Sequence, residues 1–313
     1  RDAAKMASAS IVQGVDPHEN KKELKAQEKL ARLTTLQAFI ELEFEKWYIA
    51  KYPKTGEREL KNLKVNFPTL LPMQLRDINA SLLEKLRTEM LNQKRSNATI
   101  NRRFTTLKSV LTRAVEWEVI PNHDLRKLKP LKEDNSRVRY LSFDEEARLK
   151  EALKARDLKI KRERESGNKH RAERGYPLLP DLSTRTFADY LEPLVILAMN
   201  TGMRRGELLS LRWQNVNLDR DVLTIEAANA KSGKARHIPL NQKAKSALTN
   251  WKSDCESLLW VFEGKPDQPL RDIKKAWSTI LEDAKIKDFR FHDLRHHFAS
   301  RLVMAGVDLN TTR

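Results

Sequence analysis

Thr201-Gly202-Met203-Arg204-Arg205-Gly206-Glu207-Leu208-Leu209-Ser210-Leu211-Arg212-Trp213 breaks one helix and begins another within a few residues. The apolar stretch Ala188 to Thr201 reads as a helix that stops at Gly202, and Arg205 to Trp213 reads as a short second helix. Arg204 stands at the junction: a rigid, permanently charged fork well suited to bidentate contact with a phosphate group. A surface arginine beside a helix cap has the same local signature.

Downstream, the periodicity changes from helical to alternating. Val222 to Glu226 reads as a strand, Ser232-Gly233 supplies turn chemistry, and Ala235 to Leu240 returns as a second strand limited by Pro239. The result is a hairpin with a basic tip. Lys231 on such a tip can reach into a groove and protonate a leaving oxygen, although a lone lysine there is more often only a basic turn. Helices follow at 241–254, 270–285 and 293–305, the last closed by Gly306. It carries His292-Asp293-Leu294-Arg295-His296-His297, in which His292 and Arg295, three apart, share a helix face. His292 and His296 have the i, i+4 spacing of a helical zinc pair; Asp293 replaces the glutamate of zinc proteases and no third ligand is evident.

Upstream, Leu36, Phe39, Ile40, Phe44, Trp47 and Tyr48 recur at helical spacing, a second helix spans about 79–92, and a third about 96–119 buries Ile100, Phe104, Leu107, Leu111 and Ala114. The opposite face of that third helix shows Arg102, Arg103, Lys108 and Arg113. Pro121 to Arg139 has no sustained apolar period. Ser142 and Glu145 then form a capping-box pattern that starts a new domain. Residues 155–187 are highly charged and read as a solvated helical extension or surface loop, with a DNA-contacting insertion as the alternative. The fold class expected is mainly α with a small antiparallel β-sheet.

The 313 residues suggest about two domains, and 40% hydrophobic content is enough for a core in each. The longest aliphatic run, Leu194 to Met199, is too short to span a membrane. A single cysteine, Cys255, excludes an internal disulfide framework and a cysteine zinc cage, and fits a reducing cytoplasm. The net charge of +17 asks for a polyanion, and it divides into +9 on residues 1–137 and +8 on 138–313, as expected if both halves face the same anion. A basic first domain and a basic second domain joined by a linker can close around a duplex. Asn101, Arg102, Arg103, Lys108, Lys234 and Arg236 are the candidate DNA contacts.

Taken together, Thr201-Gly202-Met203-Arg204-x-x-Glu207, the hairpin lysine before Ile238-Pro239-Leu240, and His292-x-Leu294-Arg295-His296 resemble the tyrosine recombinase (phage integrase) family in identity and order. The resemblance implies a helical core-binding (SAM-like) domain at 34–130, a linker at 131–139, and a mixed α/β tyrosine-recombinase catalytic domain at 140–313. Residues 1–33 are expected to be a helical connector from an N-terminal arm-binding domain, since Gly14-Val15-Asp16-Pro17 is similar to the connector of P4-phage-type integrases.

The resemblance assigns catalytic positions to Arg204, Lys231, His292 and Arg295, with Glu207 and His296 in support. It implies metal-independent cutting and rejoining of double-stranded DNA through a 3′-phosphotyrosine, to integrate or excise a mobile element, with no cofactor. The partners implied are attachment and core sites, a homotetramer on synapsed DNA, and accessory DNA-bending or excision factors, in a bacterial cytoplasm without a membrane. The family's nucleophilic tyrosine lies beyond the second arginine, whereas the tyrosines here are Tyr48, Tyr52, Tyr140, Tyr176 and Tyr190. With Arg1 in place of an initiator methionine, the chain reads as an internal piece that binds DNA without its nucleophile. A non-catalytic DNA-binding regulator and a type IB topoisomerase-like enzyme are the alternatives.

Overall fold

The computed structural model describes residues 33–133, 139–228 and 233–308. Residues 1–32 of the expected connector, 134–138 of the expected linker, and Lys231 and Ser232 of the hairpin lie outside the described residues. The chain divides between Asn135 and Ser136 into two compact units.

The first unit is helical. Its opening helix, α1, comprises Leu36–Phe39, a π-helical turn Ile40–Phe44, and Glu45–Lys51. The wider turn brings residues five apart into line, so Phe39 and Phe44 both enter the core with ring centroids 6.1 Å apart. Helix α2 (Gly56–Asn66), which the sequence does not predict, buries Leu60 and Leu63. Helices α3 (Ala80–Asn92) and α4 (Asn97–Glu116) begin at Asn79 and Ser96, whose side chains accept the amides of Leu82 and Thr99. The buried face of α4 is Ile100, Phe104, Leu107, Val110, Leu111 and Ala114; removing such side chains from water stabilises by roughly 2 kcal/mol each for the larger ones.

The stretch after Pro121 is not a free linker up to residue 133. Leu125 is buried, and Asn101 clips the chain by donating from Nδ2 to the Leu131 carbonyl (2.8 Å) and to Glu133 Oε1 (2.7 Å) while accepting the Leu131 amide (2.9 Å).

The second unit opens with the expected capping box: Ser142 Oγ accepts the Glu145 amide at 3.1 Å and Glu145 Oε2 accepts the Ser142 amide at 2.9 Å. Helix α5 (Phe143–Glu173) runs for 31 residues, about 46 Å at 1.5 Å per residue, with only Leu149, Leu153 and Asp157 buried. The charged region is thus helical as far as Glu173 and mostly exposed. The proline-rich return segment lies along it, its carbonyls at Pro177, Leu179 and Pro180 accepting from Arg171, Asn168 and Arg164.

Helix α6 (Leu191–Thr201) is the apolar centre of this unit. It ends at Gly202 with φ of 59°, and α7 (Arg205–Leu209) follows. The helix expected to continue to Trp213 stops early because its backbone bonds elsewhere: the Val261 amide donates to Leu211 and the Trp213 amide to Leu259. A short 3-10 turn Trp213–Asn215 then leads into β1 (Val216–Asn217), a strand absent from the expected hairpin. With β2 (Val222–Ile225) and β3 (Arg236–Pro239) it makes an antiparallel sheet of order β1-β2-β3, in which Leu223 pairs with Ile238 and Ile225 with Arg236. Helices α8 (Gln242–Asp254), α9 (Lys274–Asp283) and α10 (Asp293–Met304) complete the unit, with α8 and α10 both packed against α6.

Candidate active site

The left-handed Gly202 turns the chain so that Arg204 becomes the residue immediately before α7, and the first turn of α7 puts Glu207 beneath it. Glu207 is almost sealed from solvent, its side chain 2% exposed. Its Oε2 accepts the Arg204 amide at 2.9 Å and its Oε1 accepts Arg204 Nη1 at 3.1 Å. From β3, Arg236 adds Nη1 to Oε1 at 3.0 Å and Nη2 to Oε2 at 2.6 Å. Burial alone would raise the Glu207 carboxyl, but the hydrogen bonds from Arg236 and Arg204 outweigh it and hold the group below the usual carboxylate range.

Helix α10 brings the third segment. Arg295 donates from Nη1 to the carbonyl of Gly202 at 2.5 Å, which ties the last helix to the turn that carries Arg204. Its guanidinium pKa is lowered by burial and by the nearby charges of Arg204 and Arg236, with Glu207 opposing. His292 immediately precedes α10. Partial desolvation, then His296, Arg295 and Arg204, draw its pKa below the ordinary histidine range. The structure thus gathers Arg204, Glu207, His292 and Arg295 from segments separated by up to 91 residues of chain (204 to 295) around one electropositive point.

Each of the two arginines uses a single side-chain nitrogen on the protein. Of the five N–H donors on each guanidinium, the remainder on Arg204 and Arg295 have no protein acceptor among the described residues. Two fixed cations with spare donors can hold two oxygens of one tetrahedral anion, and a guanidinium already anchored loses little freedom when it does so.

His296 is exposed, its ring edge-on to His292 at 5.6 Å between centroids. No group of three or more His, Cys, Asp or Glu side chains able to hold a metal ion occurs among the described residues. His297, by contrast, is 2% exposed and is a residue that the sequence motifs do not single out. Its Nδ1 accepts the Leu141 amide at 3.3 Å and its Nε2 lies 3.5 Å from Glu146, so it fastens α10 to the start of α5. Its place three residues after the buried Leu294 is the available signal, since that spacing keeps to one helix face.

The candidate DNA contacts divide. Arg102 and Lys108 are exposed on α4, and Lys234 is exposed on the hairpin, none of the three with an acidic partner among the described residues. Arg103 is half-buried, its pKa lowered by desolvation and by Arg95. Asn101 differs from expectation: its amide is committed to residues 131–133 of its own unit. Arg236 differs too, because both of its terminal nitrogens bind Glu207. Alternation in the strand carries that signal, since Ile238 and Leu240 turn inward and a period of two puts Arg236 on the same side. Arg113, placed by periodicity on the open face, instead stacks over the Trp47 ring at 3.8 Å and pairs with Glu116.

Residues 179–312 match the phage integrase family. The integrase of Salmonella phage P22 is 35% identical over 147 residues, covering 42% of this chain and 38% of that protein. A shufflon-specific DNA recombinase of Escherichia coli is 32% identical over 110 residues, covering 35% of this chain and 27% of that protein. The chain therefore spans only about a third of the length of these curated relatives. In fold, it is similar to lambda integrase in a tetramer bound to a Holliday junction, with a TM-score of 0.65 at 18% identity over 100% of this chain and 85% of that one.

Proposed function

We propose that this chain is a member of the phage integrase (tyrosine recombinase) family and forms the DNA-holding and phosphate-activating part of a site-specific recombinase. In this reading the intact protein cuts and rejoins duplex DNA through a 3′-phosphotyrosine intermediate, to integrate or excise a mobile element. The observation that supports it is that Arg204 and Arg295 lie near enough for their charges to interact, each anchored through a single side-chain nitrogen by Glu207 or by the Gly202 carbonyl.

In the proposed reaction a tyrosine oxygen attacks the scissile phosphorus while the bond to the 5′-oxygen breaks. Arg204 and Arg295 neutralise the two non-bridging oxygens as negative charge accumulates on them. Lys231 gives the departing 5′-oxygen its proton, and His292 holds a phosphate oxygen or assists proton transfer at the nucleophile. The phosphotyrosyl bond conserves the energy of the diester, so rejoining needs no further energy source.

No tyrosine of this sequence follows Tyr190. Tyr190 itself sits at the opposite end of α6 from Arg204, about 16 Å of helix away, and burial raises its hydroxyl pKa further. The nucleophile is therefore proposed to reach the site from outside these 313 residues. The partners proposed are duplex attachment sites, a homotetramer on synapsed DNA, and accessory DNA-bending or excision factors.

A substrate that bypasses the missing nucleophile tests this. A duplex carrying a 3′-phosphoryl p-nitrophenyl ester at a nick, with added phenol in place of tyrosine, releases p-nitrophenolate when the phosphate is activated. The chain should accelerate release, and Arg204→Ala or Arg295→Ala should each slow it by on the order of 10²–10³, the usual loss for one preorganised oxyanion donor. Equal rates with the unmutated chain and the double variant would refute the reading.

A further inference from the structure

A carboxylate offers about four acceptor positions, and all four on Glu207 are filled: two by the amide and Nη1 of Arg204, two by Nη1 and Nη2 of Arg236. The two arginines thus compete for one buried anion. Arg236 takes the fork-to-fork geometry, the stronger arrangement, and Arg204 is left with a single side-chain hydrogen bond. We propose that Arg236 is a positioning residue: by occupying both oxygens of Glu207 it keeps Arg204 from lying fork-to-fork on the carboxylate, so that the remaining Arg204 donors stay available to a phosphate. The proposal rests on the reading of Arg204 as a phosphate ligand and gives Arg236 a role that needs no contact with substrate.

The physical reason is the cost of vacant acceptor positions on a side chain that is 2% exposed. Without Arg236, Glu207 keeps its charge but loses two of its four donors. Arg204 is already in contact with it and has unspent N–H groups, so a modest rotation of its guanidinium fills the gap and withdraws those groups from the phosphate. The same pairing has a second effect. Arg236 begins β3, the strand returning from the hairpin tip, so its hold on Glu207 fixes the hairpin base to α7.

Reactivity of Arg204 towards 2,3-butanedione, resolved by site in peptide mass spectra with exposed Arg162 as internal reference, tests this on the 313-residue chain without DNA. In Arg236→Met, Arg204 should react on the order of tenfold more slowly, the factor one additional charge-assisted hydrogen bond provides. Adding Glu207→Gln to that variant should restore the rate, because no carboxylate remains to capture the fork. A merely structural role for Arg236 predicts the opposite, with the second substitution loosening the site further.

Arg236→Lys guards against loss of folding in the methionine variant. A single ammonium cannot fill both oxygens in the fork geometry, so intermediate protection of Arg204 is expected. Unchanged or faster Arg204 modification in Arg236→Met or Arg236→Lys overturns the proposal, as does continued protection in the double variant. Duplex affinity measured on the same proteins separates this proposal from the functional reading. An unmutated chain that binds no DNA refutes the reading and leaves the modification result standing. Weakened binding by Arg236→Met at unchanged Arg204 reactivity makes Arg236 a direct DNA contact and overturns the proposal.

Discussion

Gly202→Ala is expected to damage the candidate site through the fold. Gly202 has φ of 59°, and a Cβ built there meets Phe298 Cδ1 at 2.4 Å and Cε1 at 3.0 Å. Holding alanine in the left-handed region costs about 1–2 kcal/mol. Forcing a methyl into an occupied space costs about 1–3 kcal/mol more, as the ring or helix α10 gives way. The sum, about 2–5 kcal/mol, corresponds to roughly 4–20 °C in the melting of a unit of this size. Because Gly202 also supplies the carbonyl that anchors Arg295, the same substitution should lower phosphate activation more than stability alone explains. Gly206, four residues on, is the control. It lies in α7 with nothing within 4 Å of a built Cβ, so Gly206→Ala should stabilise by about 0.5–1 kcal/mol. Thermal and urea unfolding of the whole chain read both, and Phe298→Ala in the Gly202→Ala background should recover the steric part as a coupling of about 1–3 kcal/mol. A Gly202→Ala protein that melts within about 2 °C of the parent, or a Gly206→Ala protein that loses as much, would show the reasoning to be wrong.

Two further outcomes follow from the electrostatics. Burial draws the pKa of His297 below that of an exposed histidine, although Glu146 opposes the shift; below about pH 6.5 the unfolded chain therefore binds more protons than the folded one, and stability falls as the pH drops. His292 acts with the same sign. Urea midpoints of the parent should decline between about pH 7 and pH 5 at up to about 1.4 kcal/mol per unit for each such group, and His297→Asn should flatten that decline; identical slopes would remove the assignment. On the first unit, Arg102→Ala with Lys108→Ala should weaken duplex binding about equally on all sequences. The log K against log[salt] slope should become shallower by roughly 0.9 for each phosphate that is no longer neutralised, whereas weakening confined to one sequence would mean base readout.

The elements most legible in the sequence are those whose causes are local. Ser96, Ser142 and Asn241 each cap the helix predicted after them, and Gly202 ends α6 where its sequence position indicates. Less legible are features fixed by distant partners. Helix α2 begins after turn-forming residues and sets only two large buried side chains, Leu60 and Leu63, among charged neighbours, so its helical spacing is regular but short and easily passed over. Strand β1 is two residues long and is defined only by its pairing with β2. The residue types of the candidate site are visible at Arg204, Glu207, His292 and Arg295, but their anchoring is not. The Gly202 carbonyl carries no side-chain signature, and Arg236 reads as a cation awaiting DNA because nothing local shows that Glu207 already holds it.

The ties that make the phosphate seat join residues far apart along the chain: Arg236 to Glu207 across 29 positions, Arg295 to Gly202 across 93, and His297 to Leu141 across 156. Closing such loops costs entropy before any contact rewards it, so these ties are expected to form after the capped helices. A ribosome-bound or half-folded chain is then already a polycation able to cling to nucleic acid, yet it has no place where two guanidinium groups meet one phosphate. Docking of helix 293–304 creates that place in a single event. In the proposed reading, the ability to grip a phosphate thus arrives only with a finished fold, and undocking of that one helix should withdraw it.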